Sequence, residues 1–214
     1  MIADFLAELP APQRLALSYA PARARPPTLA LLALDARLAA ILRGRREPLA
    51  AQLRLAWWRE LFAKSAAEWP GGEPLLEALQ SWRDPSGLSA LADGWEALLA
   101  DELTPSIIDE FVAGRTEGFV CLAREPDIVD DRNVELAARI WALADLAANL
   151  SDDTERALVV ERAKGLAVPR LTDTLRPLAV LSGLGRAALE KGGAPLLSGP
   201  GSALLALRIG LTGR

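Results

Sequence analysis

The 214-residue chain has no histidine and a single cysteine, Cys121. Without imidazole there is no serine–histidine relay, no histidine general base and no imidazole metal ligand. One thiol makes neither an internal disulfide nor a thiolate zinc site, and a lone cysteine fits a reducing compartment. Aromatic residues are scarce at 5%, so leucine and alanine must build the core and the six tryptophans stand out. β-Branched residues are also sparse, and the abundant Ala and Leu favour helix over strand. Long apolar runs are missing: the nearest, Gly192 to Leu207, is broken by glycine and proline and lacks the purity of a membrane span. The opening Met1-Ile2-Ala3-Asp4 lacks the basic start of a signal peptide, and Asp4 and Glu8 interrupt any apolar stretch. The expectation is a cytoplasmic protein, at most peripheral to the inner face of the membrane.

Hydrophobic residues make up 51% of the chain, which is enough for a sizeable core and argues against global disorder. The length suits one domain spanning 1–214. A pI near 5.1 excludes the basic footprint of a nucleic-acid binder. Charge is uneven, however. Residues 1–60 hold nine arginines and five acids, against a net charge of −4 for the whole. A solvated charge pattern explains this, and so does a basic face for an anionic ligand or lipid.

Helical spacing recurs along the chain, punctuated by proline and glycine. The pattern predicts helices over 12–19, 27–43, 48–68, 73–82, 87–100, 105–124, 132–150, 152–164, 172–191 and 199–211. Leu31, Leu34, Leu38 and Ile41 share one side of the second helix, which is apolar nearly all round, as a buried central helix would be. Thr104-Pro105 reads as an N-cap followed by proline in the first turn. Asp130-Asp131 reads as a helix start, and Cys121 as a small core residue. Trp82, Trp95 and Trp141 read as core anchors. No repeat, low-complexity tract or strand is evident. The fold class expected is all-α, in one domain.

One run is distinctive: Leu53-Arg54-Leu55-Ala56-Trp57-Trp58-Arg59-Glu60-Leu61. Together with Leu17-Ser18-Tyr19 and the helix before it, this run resembles the squalene/phytoene synthase family, whose helices end in a Trp-Trp-Arg-Glu-Leu type signature. The likeness is specific at Trp57 to Leu61, moderate over Leu29 to Leu61 and weak beyond. It implies a helical bundle of the isoprenoid synthase type. In that family two aspartate motifs on facing helices bind magnesium, which grips a prenyl diphosphate. Magnesium needs hard oxygen ligands, and spacings of three or four keep them on one helix face. Laid on the family pattern, Ala39, Ala40 and Arg43 fall where the first aspartates belong, and Asp35 lies a turn too early. Asp145-Leu146-Ala147-Ala148-Asn149 falls on the second motif, placing Asn149 at its aspartate and Asp152 and Asp153 at its later acids. Ser151-Asp152-Asp153 is equally an ordinary helix start. The tail, Leu175-Arg176-Pro177-Leu178-Ala179 to Leu211-Thr212-Gly213-Arg214, resembles a compact bacterial branch related to respiratory complex I assembly factors, which also lack the standard aspartates.

With the metal motifs degenerate, the resemblance implies no catalytic residue, no metal ligand and no cofactor. The expected function is a non-catalytic binding or assembly factor with a protein partner or an apolar, isoprenoid-like ligand. Candidate ligand-binding residues are Asp35, Arg54, Trp58, Arg59, Asn149, Asp152 and Asp153. The alternative is an active prenyl transferase using magnesium on rearranged ligands: Asp35, Asp152 and Asp153. Trp57 and Trp58 differ by about 100° around a helix. One is expected to pack inward with Leu53 and Leu61, the other beside Leu55 and Phe62. Arg54, one turn from Trp58, is placed to stack on it or to reach an acid.

Overall fold

The computed structural model describes residues 2–44, 48–128 and 132–213. These residues form eleven α-helices, and no strand occurs among them. In order they are α1 (Ile2–Glu8), α2 (Ala11–Leu17), α3 (Arg25–Arg43), α4 (Pro48–Phe62), α5 (Pro74–Gln80), α6 (Leu88–Ala97), α7 (Pro105–Ala123), α8 (Val134–Asn149), α9 (Asp153–Arg162), α10 (Arg176–Leu189) and α11 (Pro200–Thr212). Among the described residues no helix is long and apolar enough to cross a membrane. Glu47 and the Asp130-Asp131 pair, expected at helix starts, lie outside the described residues.

Proline sets most of the helix starts. α2, α3, α5, α7, α10 and α11 each carry proline in the first turn, where its missing N–H is not needed. Thr104 caps α7, its hydroxyl accepting from the Ile107 amide at 3.3 Å. Three expectations are corrected. The helix over 48–68 stops at Phe62, because Ser65 and Glu68 form a reciprocal capping box that starts a separate 3-10 turn, Ala66–Glu68. The helix over 172–191 begins instead as a 3-10 turn, Asp173–Leu175, followed by α10. In a continuous α-helix the Pro177 ring would collide with the Asp173 carbonyl. α1 was not foreseen, since no proline or glycine marks its start.

α3 is the central helix. Every residue from Thr28 to Ala36, with Leu38 and Ala39, is buried, and the helix packs against α1, α2, α4, α5, α6 and α7. One contiguous apolar cluster extends from Phe5 of α1 to Ile209 of α11. Asp35 is the charged residue in the middle of this helix, 3% exposed.

α6 and α7 cross at a pair of glycines. A Cβ on Gly114 would stand 2.2 Å from the Ala90 carbonyl oxygen and 2.9 Å from Gly94 Cα, and one on Gly94 would stand 3.0 Å from the Phe111 carbonyl. Only hydrogen at both positions lets the backbones approach so closely. Trp95 and Arg115 each follow one of these glycines, and the crossing delivers both to Asp35 on α3. Gly114→Ala is therefore expected to lower unfolding free energy by about 1–3 kcal/mol through overpacking. Gly71→Ala, where an added Cβ meets nothing within 4 Å, should stay within about 0.5 kcal/mol. Urea titration of both variants checks this, and equal stability of the two would contradict the close crossing.

Candidate functional site

The site is organised by Arg115, which is 1% exposed. Its Nε donates to Asp35 Oδ1 at 3.0 Å and its Nη2 to Asp35 Oδ2 at 2.7 Å, a bidentate fork. Nη1 donates to Asp145 Oδ2 on α8 at 2.9 Å. Trp95 Nε1 adds a further bond to Asp35 Oδ1 at 2.9 Å. The guanidinium lies over the Trp141 ring, 3.9 Å from its centroid, with Trp95 and Phe111 each at 5.2 Å. One cation thus joins side chains of α3, α6, α7 and α8. Such burial is affordable only because every guanidinium nitrogen faces an acceptor and the remaining surface is aromatic.

The electrostatics follow from the burial. Desolvation drives the Asp35 carboxyl above the usual aspartate range, against the opposing pull of Arg115 and the Trp95 bond. Burial also works against the Arg115 charge, but the two carboxylates more than offset it and raise its pKa. Arg115 is charged at every accessible pH. Counted together, Asp35, Arg115 and Asp145 carry one net negative charge, displaced towards Asp145, whose side chain is a quarter exposed.

The two carboxylates of this triad form part of the wall of a cavity of about 840 Å³, bounded by the start of α2, α3, α8 and the loops at 98–103 and 195–197. The volume lies within the range of small-molecule sites, about 300–1,000 Å³. Much of the lining is apolar: Leu9, Ala36, Ala39, Leu42, Phe111 and Leu146 among others. Its ionisable side chains are Glu8, Asp35, Asp101, Glu102, Asp145 and Glu155 against Arg43.

Of the residues expected to bind a ligand, Asp35 and Asn149 line this cavity. Asn149 uses Nδ2 to bond the Asp145 carbonyl at 2.8 Å. Ala39 and Arg43 line it too, whereas Ala40 faces outward. Asp152 and Asp153 are not part of the lining. Asp152 caps α9, accepting from the Thr154 and Glu155 amides at 2.8 and 3.0 Å, and those bonds hold its carboxyl below the usual range. Asp153 pairs with Arg156. The ligand trio Asp35, Asp152 and Asp153 is therefore not brought together. The residues present do not fit a magnesium cluster: both Asp35 oxygens are turned to Arg115, and among the described residues no three Asp, Glu or Cys side chains are grouped to hold an ion.

The tryptophan run lies elsewhere. Trp58 is 8% exposed and stacks on Phe62 at 5.6 Å. Trp57 is 46% exposed and meets Trp58 edge-on at 4.9 Å. Leu53 does not pack inward as expected: it is exposed with Leu49 and Trp57, at four-residue spacing along one side of α4. Arg54, Trp57 and Trp58 border a second, smaller hollow of about 380 Å³. Arg59 does not sit at either cavity's acidic wall; it ties α4 to α6 through Glu96 at 2.6 Å and Asp93 at 3.8 Å. Trp82, Trp95 and Trp141 are buried as expected. Sequence reasoning missed Arg115 and the role of Asp145. The signal was an arginine among apolar residues of α7, flanked by Gly114 and Gly118.

Comparison with protein-family models, curated proteins and solved structures finds no match.

Arg115→Met leaves two carboxylates without their cation and is expected to cost about 3–5 kcal/mol in urea denaturation. In that variant the native Asp35 keeps its proton to a higher pH than the unfolded chain does. The penalty from that charge is therefore absent below the ordinary aspartate pKa, builds up as pH rises from there to the raised one, and is constant above it. Adding Asp35→Leu should recover most of the loss, because the buried charge is gone. A deficit that is constant with pH, or unrelieved in the double variant, would count against the triad. Cys121, buried and with its thiol pushed up to about 11 by desolvation, should resist iodoacetamide in the native state and react once denatured; rapid native alkylation would contradict its burial.

Proposed function

We propose that this protein is a non-catalytic binding or assembly factor on a helical scaffold of the squalene/phytoene synthase type. The observation that carries the reading is Arg115. Two carboxylates on different helices, Asp35 of α3 and Asp145 of α8, are held by the protein's own guanidinium from α7. A divalent metal would need those oxygens, and a prenyl diphosphate would need the metal. The cavity beside them remains and is large enough for an apolar ligand. Conserving a scaffold does not conserve a reaction once the reacting groups have changed. The occupant sought is an apolar small molecule or the apolar segment of a protein partner.

The test is turnover. Purified protein incubated with farnesyl or geranylgeranyl diphosphate and magnesium should give no condensation product and no diphosphate release above a protein-free control. Magnesium-dependent product, lost in Asp35→Asn, would establish the prenyl-transferase alternative instead.

A further inference from the structure

The cavity's polar lining is one-sided. Six carboxylates, from Glu8, Asp35, Asp101, Glu102, Asp145 and Glu155, face one guanidinium, that of the exposed Arg43. Even with Arg115 counted from behind the wall and Glu8 paired to Arg37 at 3.1 Å, the cavity keeps an excess of negative charge. Two donors of the wall are already committed: Trp95 Nε1 to Asp35 and Asn149 Nδ2 to the Asp145 carbonyl. A separate observation points the same way. Gln13, 4% exposed, belongs to the cavity wall, and its Oε1 has no hydrogen-bond partner. A buried amide oxygen without a donor is costly, and with under 1 Å² of accessible surface it meets a ligand's N–H only once the Gln13 amide turns towards the cavity.

Acceptors in excess of donors, carboxylates in excess of cations and an apolar remainder define the complement. We infer that the cavity takes an apolar chain ending in a protonated amine, the amine held by Asp145 and Glu155, with the Gln13 amide turning to add its carbonyl, while the chain lies along Ala36, Ala39, Leu42 and Leu146. The inference rests on the non-catalytic binding reading and adds to it the sign of the ligand's head group. A diphosphate is disfavoured by the same field, since among the described residues no metal-ligating cluster intervenes to reverse the sign.

The experiment uses three probes with one farnesyl tail and different heads: farnesylamine, farnesol and farnesyl diphosphate. Each is titrated calorimetrically into the full chain without metal, below the concentration at which the probe aggregates. Farnesylamine should bind about tenfold tighter than either of the others, with the advantage shrinking as salt is raised. Asp101→Asn combined with Glu155→Gln, both at solvent-reached positions, should cut that advantage about threefold with thermal stability unchanged. Gln13→Leu should weaken the amine more than the diphosphate. Equal or tighter binding of the diphosphate or of farnesol overturns the inference, as does no binding by any probe. So does an amine preference untouched by all of these substitutions, which would place the amine elsewhere. None of those results restores catalysis, because turnover with magnesium is read separately.

Discussion

The interior of this protein is organised by one cation. Arg115 has no solvent to balance its charge, so its position is set by where carboxylates and aromatic faces can be found. Asp35 supplies a bidentate acceptor, Asp145 a second and Trp141 a ring at van der Waals distance. Asp35 lies on α3, Asp145 and Trp141 lie on α8, and their placement relative to α7 is constrained by the reach of a planar fork. Hydrophobic burial supplies most of the stability of such a domain, but it is non-directional and would tolerate helices sliding past one another. A guanidinium with three geometrically fixed bonds does not.

The helix crossing and the cavity are consequences of that constraint. Trp95 and Arg115 reach Asp35 because Gly94 and Gly114 let α6 and α7 come together without side chains between them. The cavity lies on the far side of the Asp35 and Asp145 carboxylates, so they serve as part of its wall as well as of a tie between helices. The triad's two carboxylates for one guanidinium add to the acidity that Asp101, Glu102 and Glu155 give the rest of the cavity lining. Structure and recognition are here two faces of the same few atoms.

Much of the helical architecture was legible from local chemistry. Proline in first turns, the Thr104 cap and the nearly uniform burial of α3 all act over one or two helical turns, where sequence spacing is a direct record of geometry. Asp35 was singled out by the family pattern, as an acid a turn before the first aspartate position. Its partner could not be, because the Asp35–Arg115 bond joins residues 80 apart. Gly114 and Gly118 mark Arg115 as unusual, but nothing in the spacing pairs it with Asp35. The Trp57-Trp58 pair was similarly half legible. Adjacent residues on a helix must face different ways, but which ring turns inward depends on α6 and Phe62, which local pattern does not encode. Asp152 was correctly readable as a cap from its neighbours alone.

The sequence separations within the triad also bear on time. Its bonds span 80, 60 and 30 residues, so each closes a long loop and gains little until the helices are already assembled. Charged groups are the last that an incompletely dried interior will accept. The network therefore belongs to the final stage of folding, where contacts absent from the transition state slow unfolding more than they speed folding. The guanidinium acts as a latch: its main effect falls on how long the native state lasts once formed.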